Sequence, residues 1–126
     1  MPSQSRKHRG YSTQAMVAHY LSTRGWPYAM SAGAGREGSD VVGLVDLDVE
    51  IKARTGFEPL AAIKQMQARR RPGALPFAVL RMNGTGEATI DDWPVVMRLE
   101  DAIYLLREAG YGDAEPSFID FDPAKD

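Results

Sequence analysis

A strict alternation of apolar and charged residues at 47–52 limits the fold more than any other feature of this chain. The segment reads Leu-Asp-Val-Glu-Ile-Lys. Because successive side chains of a β-strand point to opposite faces, Leu47, Val49 and Ile51 are predicted to share a buried face. The three charged residues then share the other face. The segment is therefore predicted to be a strand with one core face and one charged face.

A second β-branched run lies just before this strand, and the short spacing predicts a hairpin. Val41 and Val42 are separated from the strand by a break near Leu44 to Asp46. With the loop at residues 44–46, Val41 pairs with Val49 and Asp40 lies directly opposite Glu50. Two facing carboxylates repel each other, so this arrangement calls for a cation between them.

A hard divalent ion, Mg²⁺ or alternatively Mn²⁺, answers this requirement because it binds through one or two carboxylates and keeps several waters. Lys52 is on the same face and can hold a nucleophilic water or offset charge on a phosphate. The glycine-rich loop at residues 33–38 leads into Asp40. The pattern predicts a metal-dependent phosphodiester site on Asp40, Glu50 and Lys52. The simpler alternative is a polar strand face that carries only solvated charges.

Length and composition limit the other possibilities. A chain of 126 residues is expected to form one domain. The absence of cysteine excludes disulfides, thiolate zinc sites and thiol nucleophiles, and His8 and His19 give little support for an imidazole-based site. No apolar run approaches membrane-spanning length and the polar start lacks a signal-peptide core, so a cytoplasmic location is expected.

The net charge of -2 hides a strong asymmetry along the chain. Residues 1–81 hold 12 Lys and Arg against 6 Asp and Glu, whereas residues 82–126 hold 3 against 11. The basic part contains the predicted site, and a positive field is what phosphate binding needs.

The same asymmetry suggests three regions. Residues 1–10 are predicted to be a mobile basic arm that contacts a phosphate backbone or only aids solubility. Residues 11–112 form the folded domain. The acidic tail at residues 113–126 is expected to be disordered or loosely docked, or to fold back on the basic half and compete with DNA.

Helices and strands are predicted to alternate along the domain, which indicates an α/β fold with a mixed sheet flanked by helices. The first helix is expected to begin at Ser12 or Thr13 and to end at Gly25. The further predicted elements are a strand at 26–30, the hairpin, a helix from Pro59 to 71, strands at 77–82 and 87–90 joined by a turn, and a last helix. That last helix is predicted to pack on the core through Leu99, Ile103, Leu106 and Ala109 and to be capped by Gly110.

These motifs resemble the PD-(D/E)XK nuclease superfamily. Gly38-Ser39-Asp40 stands at its first acidic motif and Glu50-Ile51-Lys52 at its E-x-K motif. Within the superfamily the chain is most similar to archaeal-type Holliday junction resolvases and the related resolvases of bacteriophages of actinobacteria. The resemblance runs from about Arg6 to Met82 and implies a restriction-endonuclease-like fold.

The resemblance also extends to the first helix and to the helix after the E-x-K motif. Gln14 stands eleven residues before Gly25-Trp26, where these resolvases usually have a metal-binding Glu. An amide can still bind a metal through its carbonyl oxygen, but it lowers the negative charge of the site by one. Gln65 corresponds to a helix Gln that reaches the site in many members; Gln67 is the weaker choice because it faces another way.

The function implied is a Mg²⁺-dependent endonuclease acting on four-way DNA junctions in recombination, as a homodimer, in a bacterial host cell if phage-encoded. The alternatives are a related nuclease on another DNA structure, such as a nickase, repair or restriction-like enzyme, and a non-catalytic DNA-binding module of the same fold. The triple Arg at 69–71 suits the end of a helix dipole or a DNA-backbone patch. The full set expected to contact DNA is Arg6, Lys7, Arg9, Ser31, Arg36, Arg54, Arg69, Arg70 and Arg71.

Overall fold

The computed structural model describes residues 2–33, 39–53 and 58–113, with side chains described from residue 9 onward. Arg36, Arg54 and residues 114–126 of the predicted acidic tail lie outside the described residues. The elements in chain order are α1 (Pro2–Ser22), β1 (Met30–Ser31), β2 (Val41–Val42), β3 (Leu47–Lys52), α2 (Pro59–Arg69), β4 (Leu75–Leu80), a 3₁₀ helix (Glu87–Asp92), β5 (Val95–Val96) and α3 (Leu99–Glu108).

The strands form two small sheets. In the larger one β3 pairs in parallel with β4, with Val49 beside Phe77, and β4 pairs antiparallel with β5. Parallel neighbours need a crossover connection, and α2 supplies it between β3 and β4. The smaller sheet is the antiparallel pair of β1 and β2. The predicted mixed α/β class is confirmed.

The first helix begins earlier than the sequence pattern predicted. It starts at Pro2, so residues 2–9 belong to α1. Ser12 and Thr13 do not cap a helix start, because their hydroxyls donate to the carbonyl of Arg9 one turn back. The end was predicted well: Gly25 has a positive φ of 122° and the N–H of Trp26 donates to the Leu21 carbonyl.

The predicted hairpin between β2 and β3 is wrong as a strand ladder. β2 pairs with β1, and β3 pairs with β4. The expected loop residue Leu44 is buried in the core, which removes it from an exposed turn. Gly43 makes the bend at a φ of 83°, where a Cβ would collide with the carbonyl of Tyr28.

The core lies between α1 and the inner face of β3. Val17 and Ala18 of α1 pack with Val41, Leu47 and Val49. These include the alternating residues predicted to face inward, so the predicted core face of β3 is confirmed. A second cluster joins the other side of the sheet to α2 through Met66, Ala78 and Leu80.

The strands after α2 differ from the prediction. β4 covers 75–80 instead of 77–82, and residues 87–90 lie in the 3₁₀ helix. The partner of β4 is therefore β5. Gly86 and Thr89 already close a turn by a backbone hydrogen bond, which commits this segment to helical geometry.

The last helix was predicted correctly in position but not in packing. α3 ends in a Schellman motif, with Tyr111 N–H bonded to the Leu106 carbonyl and Gly110 as the cap residue. However, the predicted core residues Leu99, Ile103 and Leu106 are exposed, as is Ala109. Amphipathic spacing identifies an apolar face but does not specify what covers it.

Candidate functional site

Each charged side chain of β3 bonds to a residue of α2 or of the turn that follows it. Lys52 Nζ lies 3.2 Å from Gln65 Oε1, and Glu50 Oε1 lies 3.0 Å from Arg69 Nη1. One helical turn between Gln65 and Arg69 spans about 6 Å, close to the rise of two strand residues, so the helix can follow the strand. The predicted shared face of Glu50 and Lys52, and the position of Gln65 beside it, are as expected.

Glu50 is the most deeply buried charged residue among those that the structure describes, with 7% of its surface exposed. Loss of hydration raises the pKa of its carboxyl above the ordinary value, and the nearby Asp40 carboxylate raises it further. Lys52 and Arg69 act in the opposite direction. Asp40 and Glu50 are thus close enough to repel each other, as the sequence predicted.

Asp40 is held beside Glu50 by hydrogen bonds that the sequence did not indicate. Its carboxylate Oδ2 accepts a hydrogen bond of 2.7 Å from the backbone N–H of Ile51. Its own N–H donates to the Val49 carbonyl, and Ser39 Oγ accepts the N–H of Val49. Two side chains thus take the place of a regular ladder at this edge of β3, and they fix Asp40 beside Glu50.

Gln14 and Ser31 are bonded to each other. Ser31 Oγ donates to Gln14 Oε1 at 2.9 Å and accepts the N–H of Gly33 at 3.3 Å. In the described part of the chain no hydrogen bond joins Gln14 to Asp40 or Glu50. The amide of Gln14 is thus fixed at the start of the segment that leads to Asp40.

The described residues contain no group of three or more His, Cys, Asp or Glu side chains that could hold a metal ion. The acidic part of the site is the pair Asp40 and Glu50. This pair fits the ordinary requirement of Mg²⁺, which takes one or two carboxylates and fills its other positions with water. A pocket of about 10 Å³ beside Glu50 and Arg69 is near the smallest space that holds one water.

The predicted DNA-binding residues fall into three groups. Arg9 donates to the carbonyls of Ala53, Arg81 and Met82, so it ties α1 to the ends of β3 and β4. Arg69 and Arg71 bond to carboxylates of β3, while Arg70 is exposed. The side chains of Arg6 and Lys7 lie outside the described residues, like the whole of Arg36 and Arg54. Contact of any of these residues with DNA stays a prediction.

Two arginine interactions were missed. Arg71 Nε donates to Asp48 Oδ1 at 2.7 Å, and its Nη2 donates to the carbonyls of Leu44 and Leu47. Arg81, at the end of β4, donates to Thr13 Oγ1, and burial lowers the pKa of its guanidinium, with Arg9 adding to the effect. An arginine flanking a strand was the only signal in the sequence for either interaction.

Comparisons of the chain with protein-family models, with curated proteins and with solved structures gave no match in any of the three. Across the described residues, every helix is too short or too polar to cross a membrane.

Arg71→Ala should destabilise the fold by about 2 kcal/mol, because it removes the side-chain donor to Asp48 Oδ1 and to the carbonyls of Leu44 and Leu47, and leaves the largely buried Asp48 carboxylate with only the backbone N–H of residue 71. The midpoint of thermal unfolding should fall by roughly 8 °C. The matched control is Arg70→Ala, which removes the adjacent exposed guanidinium and should change the midpoint by about 1 °C at most. An Arg71→Ala midpoint equal to that of the control would contradict the structural role of Arg71.

The raised pKa of Glu50 predicts a pH dependence of stability without metal. The folded state holds this proton more tightly than the unfolded chain, whose carboxyl keeps the ordinary value of 4.5. The stabilisation is present below that pH and is lost as the pH rises through the folded-state pKa. Urea unfolding in chelator should therefore show a smaller loss of stability with rising pH for Glu50→Gln than for the wild type. Equal slopes would contradict the raised pKa, and Glu58→Gln, at an exposed site, is the control.

Proposed function

We propose that the chain is a metal-dependent endonuclease that hydrolyses phosphodiester bonds in branched DNA, with the four-way junction as its substrate. The observation that carries the proposal is the convergence of Asp40, Glu50 and Lys52, with Gln65 bonded to Lys52. Two neighbouring carboxylates, of which Glu50 is buried, cost free energy that a bound cation would offset.

Asp40 and Glu50 are the residues that would hold Mg²⁺, or Mn²⁺ in its place. Both offer hard oxygen ligands, and Asp40 is already oriented by the Ile51 N–H. Gln14 is the third candidate, directly or through a water, from its fixed position beside Ser31. When bound, the ion polarises the phosphate and lowers the pKa of a coordinated water.

Lys52 is the residue proposed to act on the substrate itself. Its ammonium can hold the attacking water or offset the charge that develops on the phosphate. Gln65 accepts one hydrogen bond from Nζ at 3.2 Å, which orients the ammonium. An ammonium has three donors, of which Gln65 takes one; among the described residues the other two are left for water and phosphate.

The finer fold and the assembly belong to the same proposal. The β3-α2-β4 unit that carries Glu50, Lys52 and Gln65 supports a restriction-endonuclease-like arrangement. A homodimer is proposed because a four-way junction offers two equivalent scissile phosphates to a twofold partner. The exposed Arg70, with Arg6 and Lys7 on α1, would contribute to the DNA-binding surface.

Cleavage should require a divalent metal and should be selective for branched DNA. The experiment uses a labelled four-way junction, linear duplex, nicked duplex and single strand, each with Mg²⁺, Ca²⁺ or chelator. We expect junction cleavage with Mg²⁺ and no cleavage in chelator. With Ca²⁺ we expect binding without turnover, because the larger ion positions the water poorly. Full activity in chelator would exclude the metal mechanism.

The substrate panel also separates the alternatives. Preferential cleavage of nicked or linear duplex would indicate a nuclease for another DNA structure. Junction binding with no cleavage in any metal would indicate a non-catalytic DNA-binding module.

A further inference from the structure

Arg69 contacts the carboxylate of Glu50, which is the group that a metal ion would need to bind. Its Nη1 lies 3.0 Å from Glu50 Oε1 and forms both a hydrogen bond and a salt bridge with it. The pocket beside the pair has room for about one water with Arg69 in this position. The guanidinium and an incoming cation would therefore compete for the same carboxylate.

The need for a cation at Glu50 follows from the charges around it. Glu50 is buried, and the carboxylate of Asp40 is held beside it by the N–H of Ile51. Lys52 lies on the same face of β3, but its Nζ is bonded to the neutral amide of Gln65. Among the described residues, Arg69 is the cation in direct contact with Glu50.

The two partners differ in their freedom to separate. The side chain of Glu50 is 10% exposed, whereas that of Arg69 is 43% exposed. Arg69 is the last residue of α2, so its side chain can turn into solvent without opening the helix. Separation from Glu50 costs Arg69 little free energy, because water replaces the lost hydrogen bond. A metal ion can displace Arg69 without moving Glu50.

We propose that Arg69 is a positioning residue that stands in for the metal, holding Glu50 in place in the metal-free protein and giving way when a divalent ion binds. This inference rests on the proposed function for its site. Since competition is reciprocal, Arg69 must weaken metal binding by the same factor by which the metal weakens the Arg69–Glu50 contact. Arg69 thus lowers the metal affinity while it keeps Glu50 in place in the absence of the metal.

The test is direct measurement of Mn²⁺ binding to the full chain, by titration calorimetry and by the electron paramagnetic resonance signal of free Mn²⁺. Arg69→Met keeps most of the apolar volume of the side chain and removes its charge. We expect the Mn²⁺ dissociation constant to fall at least about fivefold, and the metal-induced rise in unfolding temperature to exceed that of the wild type. Arg70→Ala, which removes a neighbouring exposed charge, should change the constant less than twofold.

Arg69→Lys is the second variant and decides the question if the Met variant does not fold. A shorter point charge competes less well for the carboxylate, so its dissociation constant should lie below that of the wild type. Glu50→Gln should abolish the binding in each background, which assigns it to this site. An unchanged or weaker Mn²⁺ affinity in the folded Arg69 variants, or no binding in any of them, would overturn the inference.

This outcome is separable from the failure of the proposed function. If the wild type binds Mn²⁺ through Glu50 and Arg69→Met binds it more tightly, but the wild type cleaves no DNA, the nuclease proposal fails and the competition by Arg69 stands. If the wild type cleaves junctions and Arg69→Met binds Mn²⁺ no more tightly, the competition fails and the nuclease proposal stands.

Discussion

Glu50→Gln and Asp40→Asn should each reduce junction cleavage roughly a thousand-fold while junction binding persists or tightens. Each change keeps the size of the side chain but removes one unit of the charge that would hold a metal. Loss of the ion removes several kcal/mol of stabilisation from the transition state, and about 1.4 kcal/mol corresponds to a factor of ten in rate. Binding should not suffer, because an uncompensated carboxylate repels the phosphate that approaches it.

The measurement is single-turnover cleavage of a labelled four-way junction at saturating Mg²⁺, beside a binding assay in Ca²⁺. Glu58→Gln is the matched control, since Glu58 is exposed at the start of α2 and should leave the rate unchanged. If both site variants cleave at the parental rate, Asp40 and Glu50 are not metal ligands and the proposed site is misplaced.

The alternation at residues 47–52 carried most of what could be predicted. Side-chain direction in a strand depends only on local geometry, so Val49 was assigned to the core and Glu50 to the opposite face before any strand partner was known. Pro59 was likewise enough to locate the start of α2, because its ring suits the first helical position.

The same reasoning cannot predict which strands pair with each other. The hairpin prediction assumes that sequence neighbours pair, but each residue of β3 pairs with a residue of β4 that is 28 positions away, across α2. The choice is made by the burial of Leu44 and by the packing of α1 on the sheet, and these contacts are distant in sequence. The early start of α1 has a similar cause, since Arg9 is held by carbonyls at the far ends of β3 and β4.

At the candidate site, an incorrect strand pairing still predicted correctly that Asp40 and Glu50 are neighbours. The expected ladder placed Asp40 opposite Glu50, and the two are indeed neighbours. The contact that places Asp40 there is its carboxylate on the Ile51 N–H, which no pattern of residue types encodes. The bond of Arg71 to Asp48 was hidden for the same reason, because a run of three arginines gives no sign of which one turns inward.

Lys52→Ala should lower the cleavage rate by about 100-fold to 1,000-fold and, unlike the carboxylate variants, should also weaken junction binding. It removes a cation placed beside the phosphate, so the ground state and the transition state both lose an interaction, and the transition state loses more. Lys52→Arg should not restore the rate, because a planar guanidinium cannot reproduce the compact ammonium that Gln65 directs at 3.2 Å.

The readout that distinguishes this role is the pair of constants measured together, the single-turnover rate and the junction dissociation constant. Lys64→Ala is the matched control, because it removes an exposed ammonium from α2, one residue from Gln65, and should leave the rate unchanged. A Lys52→Ala variant that loses affinity but cleaves bound junction at the parental rate would restrict Lys52 to phosphate binding. In that case the attacking water must be held by the metal alone, and the direction that Gln65 gives to Nζ would serve substrate binding instead of chemistry.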